Sequence, residues 1–404
     1  MIFNRGKILL PEFTADHDRM SKWSVIACDQ FTSEVEYWEE CIKIIDKNRS
    51  TYDYIMPEAF LGTDMEKEHS DEIFRNMNSF NENDFQIIDG YVYVERTLPS
   101  GKIRHGIIGI IDLEEYDYNN CSKSKVRPTE ATVVSRIPAR EKIRSNAVIE
   151  LPHILILTNE NEGIYKKARE ISTRLDPVYD FELMMNGGHI KGYSISGTNA
   201  ASLDSLIEKY ETNSDGIVYA VGDGNHSLAA AKSFWKKRKS EGASENDPSR
   251  YALCEITDIK DESLVFEPIY RLLKNCSPED FIEYLKIFES KNKDSSDEIT
   301  VITENGKQIV KINNPENLLL IDNLQKIIDG YTGIKKNTVC DYIHGEESLK
   351  QLSDDQHSVG LIFSGIRKES LFDLVDKYGV LPRKTFSMGN AEEKRYYLEA
   401  RKIR

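Results

Sequence analysis

The chain has 404 residues, of which 39% are hydrophobic and 30% charged, and this composition is ordinary for a globular protein of two or three domains. A net charge of −15 with a pI near 5.2 argues against a broad surface for nucleic acid or anionic membrane, because such surfaces depend on clustered lysine and arginine. Six cysteines without a CxxC pair predict neither a zinc site nor a disulfide framework, and no apolar run approaches the ~20 residues of a membrane span, so we expect a cytoplasmic protein.

Asp29 follows the first strand-like run of the chain. A short strand is predicted over 24–28 and a helix over 33–47, because Thr32 or Ser33 together with Glu36 fits the start of a capping box. A carboxylate at a strand end can act as a general base or hold Mg²⁺, but an Asp before a helix can also be only a cap or turn residue. Both interpretations of Asp29 are open on the sequence alone.

A helix predicted over 65–83 precedes three strand-like runs between Phe85 and Leu113. Turn signals at Asp89-Gly90 and Pro99-Ser100-Gly101 separate the runs, which predicts an antiparallel meander. We expect this meander to be a scaffold.

Arg127 and Glu130 open an arginine-rich segment. Arg136, Arg140 and Arg144 recur at i, i+4 and i+8, so they share one face of a predicted helix. Three arginines on one face can bind an anion, or they can pair with carboxylates of this acidic protein.

Strands and helices alternate through the next hundred residues, which favours an α/β layer. Ligands in such sheets bind where strands end and helices begin. The predicted strands are 151–159, 189–195, 217–221 and 251–257, and the predicted helices are 163–175, 200–210 and 227–239.

The stretch Val218–Lys232 is the strongest candidate for the functional site of this protein. We interpret it as a buried strand, a turn containing Gly222 and Gly224, and a helix. Glycine allows positive φ and close approach of a ligand, and a first helical turn presents unpaired N–H groups, so the junction is suited to a phosphate.

Four side chains are expected at that junction and could hold a metal, orient a phosphate or move a proton: Asp223, Asn225, His226 and Ser227. Asp223 is the candidate metal ligand. The alternative is that Asp223 or Asn225 only caps the helix and that His226 is a surface residue.

The pattern of predicted helices and strands changes after residue 274. Residues 275–335 are predicted to form a small α+β module with a helix over 277–288, a polar linker at 291–298, a hairpin at Asn305-Gly306 and a helix over 317–329. Residues 336–404 are expected to return to the main α/β domain formed by 1–274. Lys384, near the end of the chain, could reach a phosphate or carboxylate.

The segment GDGNHSLAAAK resembles the Asp-Gly-His-His-Arg segment of the bacterial and archaeal family called domain of unknown function 1015. That motif is similar to the phosphate-binding loop of the ParB and sulfiredoxin superfamily, which includes free serine kinases. Other matching stretches occur in the same order, namely RPTEATVVSRIPAREKIR, FEPIYRLL, DYIHGEESL and LPRKTF. The resemblance implies a mixed α/β protein with a ParB/sulfiredoxin-like phosphate-loop core.

This sequence departs from the family pattern at three positions. Asn225 stands in place of the first His, Ser227 in place of Arg, and Tyr270 in place of the His of a Pro-x-His-Arg segment. A serine hydroxyl replaces neither the charge nor the bidentate geometry of an arginine on phosphate. Sulfiredoxin chemistry is excluded, because it requires a cysteine where this chain has Asn225.

Two functions follow from the resemblance. The first is a nucleotide-dependent phosphotransferase acting on a free hydroxy amino acid, with ATP or ADP and Mg²⁺. In this function His226 or Asp223 would position the transferred group, and Asp29 or Glu130 would accept the hydroxyl proton. The phosphates would be held by Gly222–Ser227 together with Arg127, Arg136, Arg140 and Lys384. The second is a non-catalytic, nucleotide-responsive protein of the ParB-like type. The chain contains neither a Walker A sequence nor GxSxG, so an ordinary P-loop kinase and the commonest α/β-hydrolase are excluded.

Overall fold

The structure is a computed structural model that describes residues 1–120, 122–290, 296–316, 318–382 and 384–404. These residues group into two compact units. The first comprises Met1–Leu264, Phe372–Val380 and Asn390–Arg404, and the second comprises Val265–Leu371 and Leu381–Gly389. Most of the predicted linker at 291–298 lies outside the described residues, and so does the predicted first residue of the helix over 317–329.

Strands occur throughout both units. In chain order they are β1 (Phe3–Asn4), β2 (Gly6–Pro11), β3 (Val25–Ile26), β4 (Phe85–Thr97), β5 (Ile103–Asp112), β6 (Val126–Pro128), β7 (Ile149–Glu150), β8 (Leu155–Thr158), β9 (Tyr179–Glu182), β10 (His189–Ser196), β11 (Tyr219–Asp223), β12 (Tyr251–Asp258), β13 (Phe266–Lys274), β14 (Ser296–Thr303), β15 (Gly306–Asn313), β16 (Val339–His344), β17 (Ser358–Phe363), β18 (Phe386–Met388), β19 (Tyr396–Tyr397) and β20 (Arg401–Lys402).

The α-helices lie between these strands. They are α1 (His17–Trp23), α2 (Val35–Ile45), α3 (Met65–Asn78), α4 (Ile137–Arg144), α5 (Ile164–Ser172), α6 (Gly197–Asn213), α7 (Asn225–Ser240), α8 (Pro278–Leu285), α9 (Leu320–Ile334), α10 (Glu346–Leu352) and α11 (Leu371–Tyr378). The predicted mixed α/β class is confirmed, although several helix ends differ from the predicted ones by a few residues.

The first unit is built on a mixed sheet with strand order β6-β11-β8-β12-β5-β4-β10-β9, to which β1 and β2 add by pairing with β5 and β4. The pairs β6–β11 and β8–β12 are parallel, and the other neighbours are antiparallel. The motif strand β11 therefore lies between β6 and β8, so the loops at the ends of those two strands flank the motif turn.

The meander has one turn fewer than predicted. Asp89 and Gly90 lie inside the long strand β4 and do not form a turn. Gly90 serves a different purpose, because a Cβ there would lie 2.2 Å from the carbonyl oxygen of Ile195 on the paired strand β10. The glycine thus permits a close approach of two strands, and a sequence pattern cannot distinguish this role from a turn.

The sheet of the first unit is buried on both faces. Along β4, Tyr91 and Tyr93 join one hydrophobic cluster, whereas Val92 and Val94 join the other. This alternation follows from the two-residue period of a strand. The first cluster includes residues of α5, α6 and α7, and the second includes residues of α1, α2, α3 and the C-terminal segment.

The second unit has its own sheet, with order β15-β14-β17-β13-β16 and with β18 paired to β13. Helices α8 and α9 contribute Phe281, Leu324 and Ile328 to its hydrophobic cluster. The predicted hairpin is present, because Thr303 of β14 pairs with Gly306 of β15. Strands β16 and β17 belong to this sheet, so residues 339–363 do not join the first unit as the sequence led us to expect.

Among the described residues, every helix is too short or too polar to span a bilayer.

Gly90→Ala tests the close approach of β4 and β10. We expect it to lower the free energy of unfolding by about 1–3 kcal/mol, because the new methyl group would overlap the Ile195 carbonyl. Gly333→Ala is the control, since nothing lies within 4 Å of a Cβ at that position in α9. It should leave stability unchanged or raise it by up to about 1 kcal/mol. Urea unfolding followed by circular dichroism measures both, and equal stability of the two variants would contradict the assignment.

Candidate functional site

The motif turn has the predicted order of strand, glycine and helix. Strand β11 ends at Asp223, Gly224 has a φ of 78°, and α7 begins at Asn225. A Cβ at Gly224 would lie 2.9 Å from the Cα of Ile154, so this position requires glycine for both its conformation and its space. Gly222, in contrast, lies within β11 and is not part of the turn.

The polar side chains of the turn are half-buried and tied to neighbouring segments. Asp223 accepts a hydrogen bond from the Gly224 N–H through Oδ1 at 2.8 Å, and its Oδ2 lies 3.3 Å from the Nζ of Lys394. His226 accepts a hydrogen bond from the Val133 N–H through Nε2 at 3.2 Å. Because Nε2 accepts, a neutral His226 carries its proton on Nδ1. The buried Oδ1 of Asn225 has no hydrogen-bond partner among the described residues.

The loop that follows β6 runs beside the motif turn. Strands β6 and β11 are parallel, with Pro128 opposite Val221. Thr129 then donates to the Val221 carbonyl through its N–H at 3.3 Å and through its hydroxyl at 2.9 Å. Since Val133 binds His226, both ends of the loop 129–133 are attached to the motif, and this loop carries Glu130.

On the other side of β11, the start of β8 brings a buried histidine. Leu155 pairs with Asp223, and His153 lies two residues earlier in the chain. A hydrogen bond of 2.7 Å joins the Nδ1 of His153 to the hydroxyl of Tyr397, and the Nε2 lies 3.8 Å from the Oδ1 of Asp29. His153 was not predicted as a site residue. The signal that could have found it is a histidine directly before an apolar strand, which is weak by itself.

Asp29 is the second carboxylate of this region. Burial alone would raise its pKa, but the nearby charge of His153, a hydrogen bond from the Gln30 amide and the charge of Lys394 together hold the pKa below its usual value. Asp29 and Asp223 thus both interact with Lys394. This lysine was not predicted either, because nothing in its local sequence indicates that it returns to the end of β11.

Cys28 and the pair Arg140–Glu58 border Asp29. The Glu58 N–H donates to the Cys28 carbonyl at 2.7 Å, and Arg140 forms an ion pair with the Glu58 carboxylate. Burial raises the pKa of the Cys28 thiol to about 12, so this thiol stays protonated at neutral pH and is a poor nucleophile.

Two of the three arginines on the predicted helix face form ion pairs with carboxylates of this protein. Arg144 binds Glu150 at 2.6 Å, Arg140 binds Glu58, and Arg136 is exposed just before α4. The helical spacing was correct, but the alternative interpretation of the pattern, pairing within an acidic protein, describes Arg140 and Arg144. The side chains of both are used in structural contacts.

Two other predicted phosphate-binding residues also lie elsewhere. Arg127 is buried, and its Nη2 binds the Asp376 carboxylate at 2.8 Å. Asp376 lies against Gly216, which precedes β11, so the Arg127 guanidinium is held at the strand end opposite the motif. Lys384 belongs to the second unit, where it is exposed and its carbonyl accepts a hydrogen bond from Arg271 at 3.1 Å.

Arg144→Met tests the structural role of that arginine. Burial would raise the pKa of Glu150, but the charges of Arg144 and Arg401 lower it below its usual value. Removing Arg144 leaves the buried Glu150 carboxylate with Arg401 as its one remaining arginine partner. We therefore expect the free energy of unfolding to fall by about 3 kcal/mol at pH 7.

The same variant has a defined pH dependence. Because the folded pKa of Glu150 is lowered, its ion pairs stabilise the fold above the unfolded pKa, and this contribution disappears as the pH falls through the folded value. The stability difference between wild type and Arg144→Met should therefore shrink on acidification. Arg136→Met is the matched control and should have no effect. Urea titrations at pH 7 and at acidic pH measure both, and a constant difference would contradict the assignment.

Comparisons with solved structures give matches of low identity and low TM-score. A conserved hypothetical protein from Pyrococcus furiosus is 16% identical, covers 73% of this chain and 94% of its own, and has a TM-score of 0.36. A free serine kinase variant in complex with AMP is 14% identical, with coverages of 76% and 95% and a TM-score of 0.41. The same variant with ADP is 13% identical, with coverages of 75% and 93% and a TM-score of 0.39. At these TM-scores the similarity says nothing about the site.

No curated protein matches the sequence. A family model does match, and it covers residues 10–333, which include the motif turn, the loop after β6 and Asp29. The resemblance inferred from GDGNHSLAAAK is therefore confirmed, and this chain belongs to the family described as protein of unknown function (DUF1015).

Proposed function

We propose that the first unit binds a nucleotide, ATP or ADP with Mg²⁺, and transfers its terminal phosphoryl group to the hydroxyl of a free hydroxy amino acid, as free serine kinases do. The observation that carries this proposal is the ion pair of Asp223 with Lys394 beside the first turn of α7, together with Asp29, whose pKa is lowered by the charge of the same lysine. Phosphoryl transfer needs positioned charges of both signs and little covalent chemistry from the protein, and this combination supplies them.

The phosphate would be bound by the start of α7. The Leu228 N–H donates to the Gly224 carbonyl at 3.0 Å, so the N–H groups of Asn225, His226 and Ser227 precede the first intrahelical hydrogen bond. These groups and the helix dipole favour an anion. The amide of Asn225, the Nδ1–H of His226 and the hydroxyl of Ser227 would add side-chain hydrogen bonds.

Asp29 is the proposed acceptor of the substrate hydroxyl proton. Its lowered pKa keeps it ionised at neutral pH, and an ionised carboxylate can orient the hydroxyl and take its proton as the phosphoryl group is transferred. Glu130, on the loop 129–133, is the second candidate for this role.

Asp223 fits a nucleotide-borne Mg²⁺ better than a resident metal. The described residues include no group of three or more His, Cys, Asp or Glu that could hold a metal ion. Mg²⁺ is usually bound by one or two carboxylates together with substrate phosphates and water. The Asp223 carboxylate would hold the ion on the nucleotide, where it neutralises charge on the phosphates.

The alternative is a non-catalytic, nucleotide-responsive protein of the ParB-like type. Two observations favour it: Ser227 supplies no charge to a phosphate, and Asp223 is already paired with Lys394. A ParB/sulfiredoxin-like phosphate-loop core is part of the same proposal in both versions.

Thermal shift and a transfer assay distinguish the two versions. Wild type at about 100 times the dissociation constant of ATP or ADP with Mg²⁺ should gain roughly 2.7 kcal/mol of stability. Asp29→Asn should reduce phosphate transfer to serine or threonine by about 10²–10⁴-fold and keep the shift. Asp18→Asn, at an exposed position of α1, is the matched control and should change neither. A shift without transfer in wild type would move the proposal to the non-catalytic version.

Gly224→Val tests whether the ligand binds at the turn. Its side chain would occupy the space next to Ile154 and oppose the positive φ, so the nucleotide-induced shift should disappear. If wild type shows no shift with any nucleotide, or if Gly224→Val keeps the full shift, the site is not a nucleotide site.

A further inference from the structure

The last residues of the first unit bring Lys394 to the motif turn. Strand β19 pairs with β3, placing Tyr396 opposite Ile26 and Tyr397 opposite Val25, and β3 leads directly to Asp29. Strand β20 pairs with β7, which precedes His153. The C-terminal segment 390–404 is thus attached to the two strands whose loops carry the other site residues.

The backbone that carries Lys394 is fixed by two buried arginines. Arg96 donates to the carbonyls of Glu392 at 2.8 Å and Glu393 at 3.2 Å, and also to the carbonyl of Lys394. Arg395 binds Glu255 at 2.8 Å and the Pro152 carbonyl at 2.6 Å, next to His153. Lys394 therefore lies between two anchored points, and its position does not depend on its own ion pair.

The motif itself supplies no cation to an anion bound at its helix. From Asp223 to Ala231 the chain contains neither lysine nor arginine. Lys232 is the next cation, and its Nζ is buried on the Leu113 carbonyl at 2.6 Å. The charge for a phosphate must come from another segment, and the Nζ of Lys394 is 3.3 Å from the Asp223 carboxylate.

The geometry of the ion pair between Lys394 and Asp223 allows the ammonium to exchange the carboxylate for another anion. A strong ammonium–carboxylate hydrogen bond has a length of about 2.7–2.9 Å, and this one is longer. The Lys394 side chain also retains 18% of its exposure, so its ammonium group can be reached from solvent. An arriving phosphate offers several acceptor oxygens to the same ammonium.

We propose that Lys394 is the phosphate-binding cation of the site: its ammonium pairs with Asp223 in the free protein and moves to the ligand phosphate on binding. This inference rests on the proposed nucleotide site and names a residue of it that lies beyond the part of the chain matched by the family model.

Binding measurements without Mg²⁺ test the proposal, because only the protein then supplies cations. Titration calorimetry with ADP, pyrophosphate and adenosine should show that Lys394→Met weakens ADP and pyrophosphate by about 10–100-fold and leaves adenosine unchanged. Lys402→Met is the matched control, since it removes the same charge from the same segment at a residue paired with Glu82. It should bind all three probes as wild type does. Lys394→Arg should recover part of the lost affinity.

A variant that is expected to bind ADP more tightly distinguishes loss of the phosphate contact from poor folding, because a poorly folded variant would not gain affinity. Asp223→Asn releases the ammonium from its partner and should tighten ADP binding, and the gain should be smaller in a Lys394→Met background if the two residues are coupled. Equal ADP affinity in wild type and Lys394→Met would overturn this inference while the nucleotide site stands. Binding with the predicted pattern but without transfer to serine would overturn the kinase proposal alone. If wild type binds neither ADP nor pyrophosphate, both are overturned.

Discussion

The first unit depends on a cluster of charges buried in its interior. Arg395 binds Glu255 at 2.8 Å and Glu399 at 2.6 Å, and all three side chains are almost fully buried. Buried charges are costly unless each is paired, so every member of the cluster constrains the others. Gly106 is part of this constraint, because a Cβ there would lie 2.2 Å from the Glu255 carboxylate. Arg395 directly follows Lys394 in the chain. The pairing of Arg395 with Glu255 and Glu399 in the core therefore determines where Lys394 of the candidate site lies.

The site contains few cations in a protein with a net charge of −15. The overall field repels a phosphorylated ligand at long range, but screening limits that repulsion to about 8 Å at physiological ionic strength. At hydrogen-bonding distance an ammonium group and the N–H groups of α7 outweigh it. The small number of cations also accounts for the pairing of Lys394, whose ammonium lies 3.3 Å from Asp223 and whose charge lowers the pKa of Asp29; on the proposal above, a bound phosphate competes for this ammonium. Affinity then reflects the difference between two pairings of one cation.

Sequence patterns predicted what is local and missed what depends on distant partners. The strand, glycine and helix of the motif follow from consecutive residues, and so does a strand shortly before Asp29, although that strand ends at Ile26 and not at Cys28. The spacing of Arg140 and Arg144 was also correct, yet their ligands are carboxylates that only tertiary packing brings near, Glu58 and Glu150. His153 and Lys394 were missed for the same reason, since both reach the turn through strand pairing. Gly90 shows the opposite error. The Asp-Gly pair was interpreted as a turn, but the glycine is required by the close approach of the neighbouring strand β10.

The first unit is discontinuous along the chain, and this has a consequence for its biosynthesis. Strands β3 and β7 are made early, but their partners β19 and β20 follow the whole second unit along the chain. At a rate of about 5–20 residues per second, roughly 10–35 s separate the synthesis of the motif turn from that of its C-terminal neighbours. During this interval the nascent motif lacks Lys394 and the core lacks Arg395. The second unit, whose residues end at Gly389, has its whole sequence available earlier. The candidate site therefore cannot be completed until the residues that follow the second unit have been synthesised.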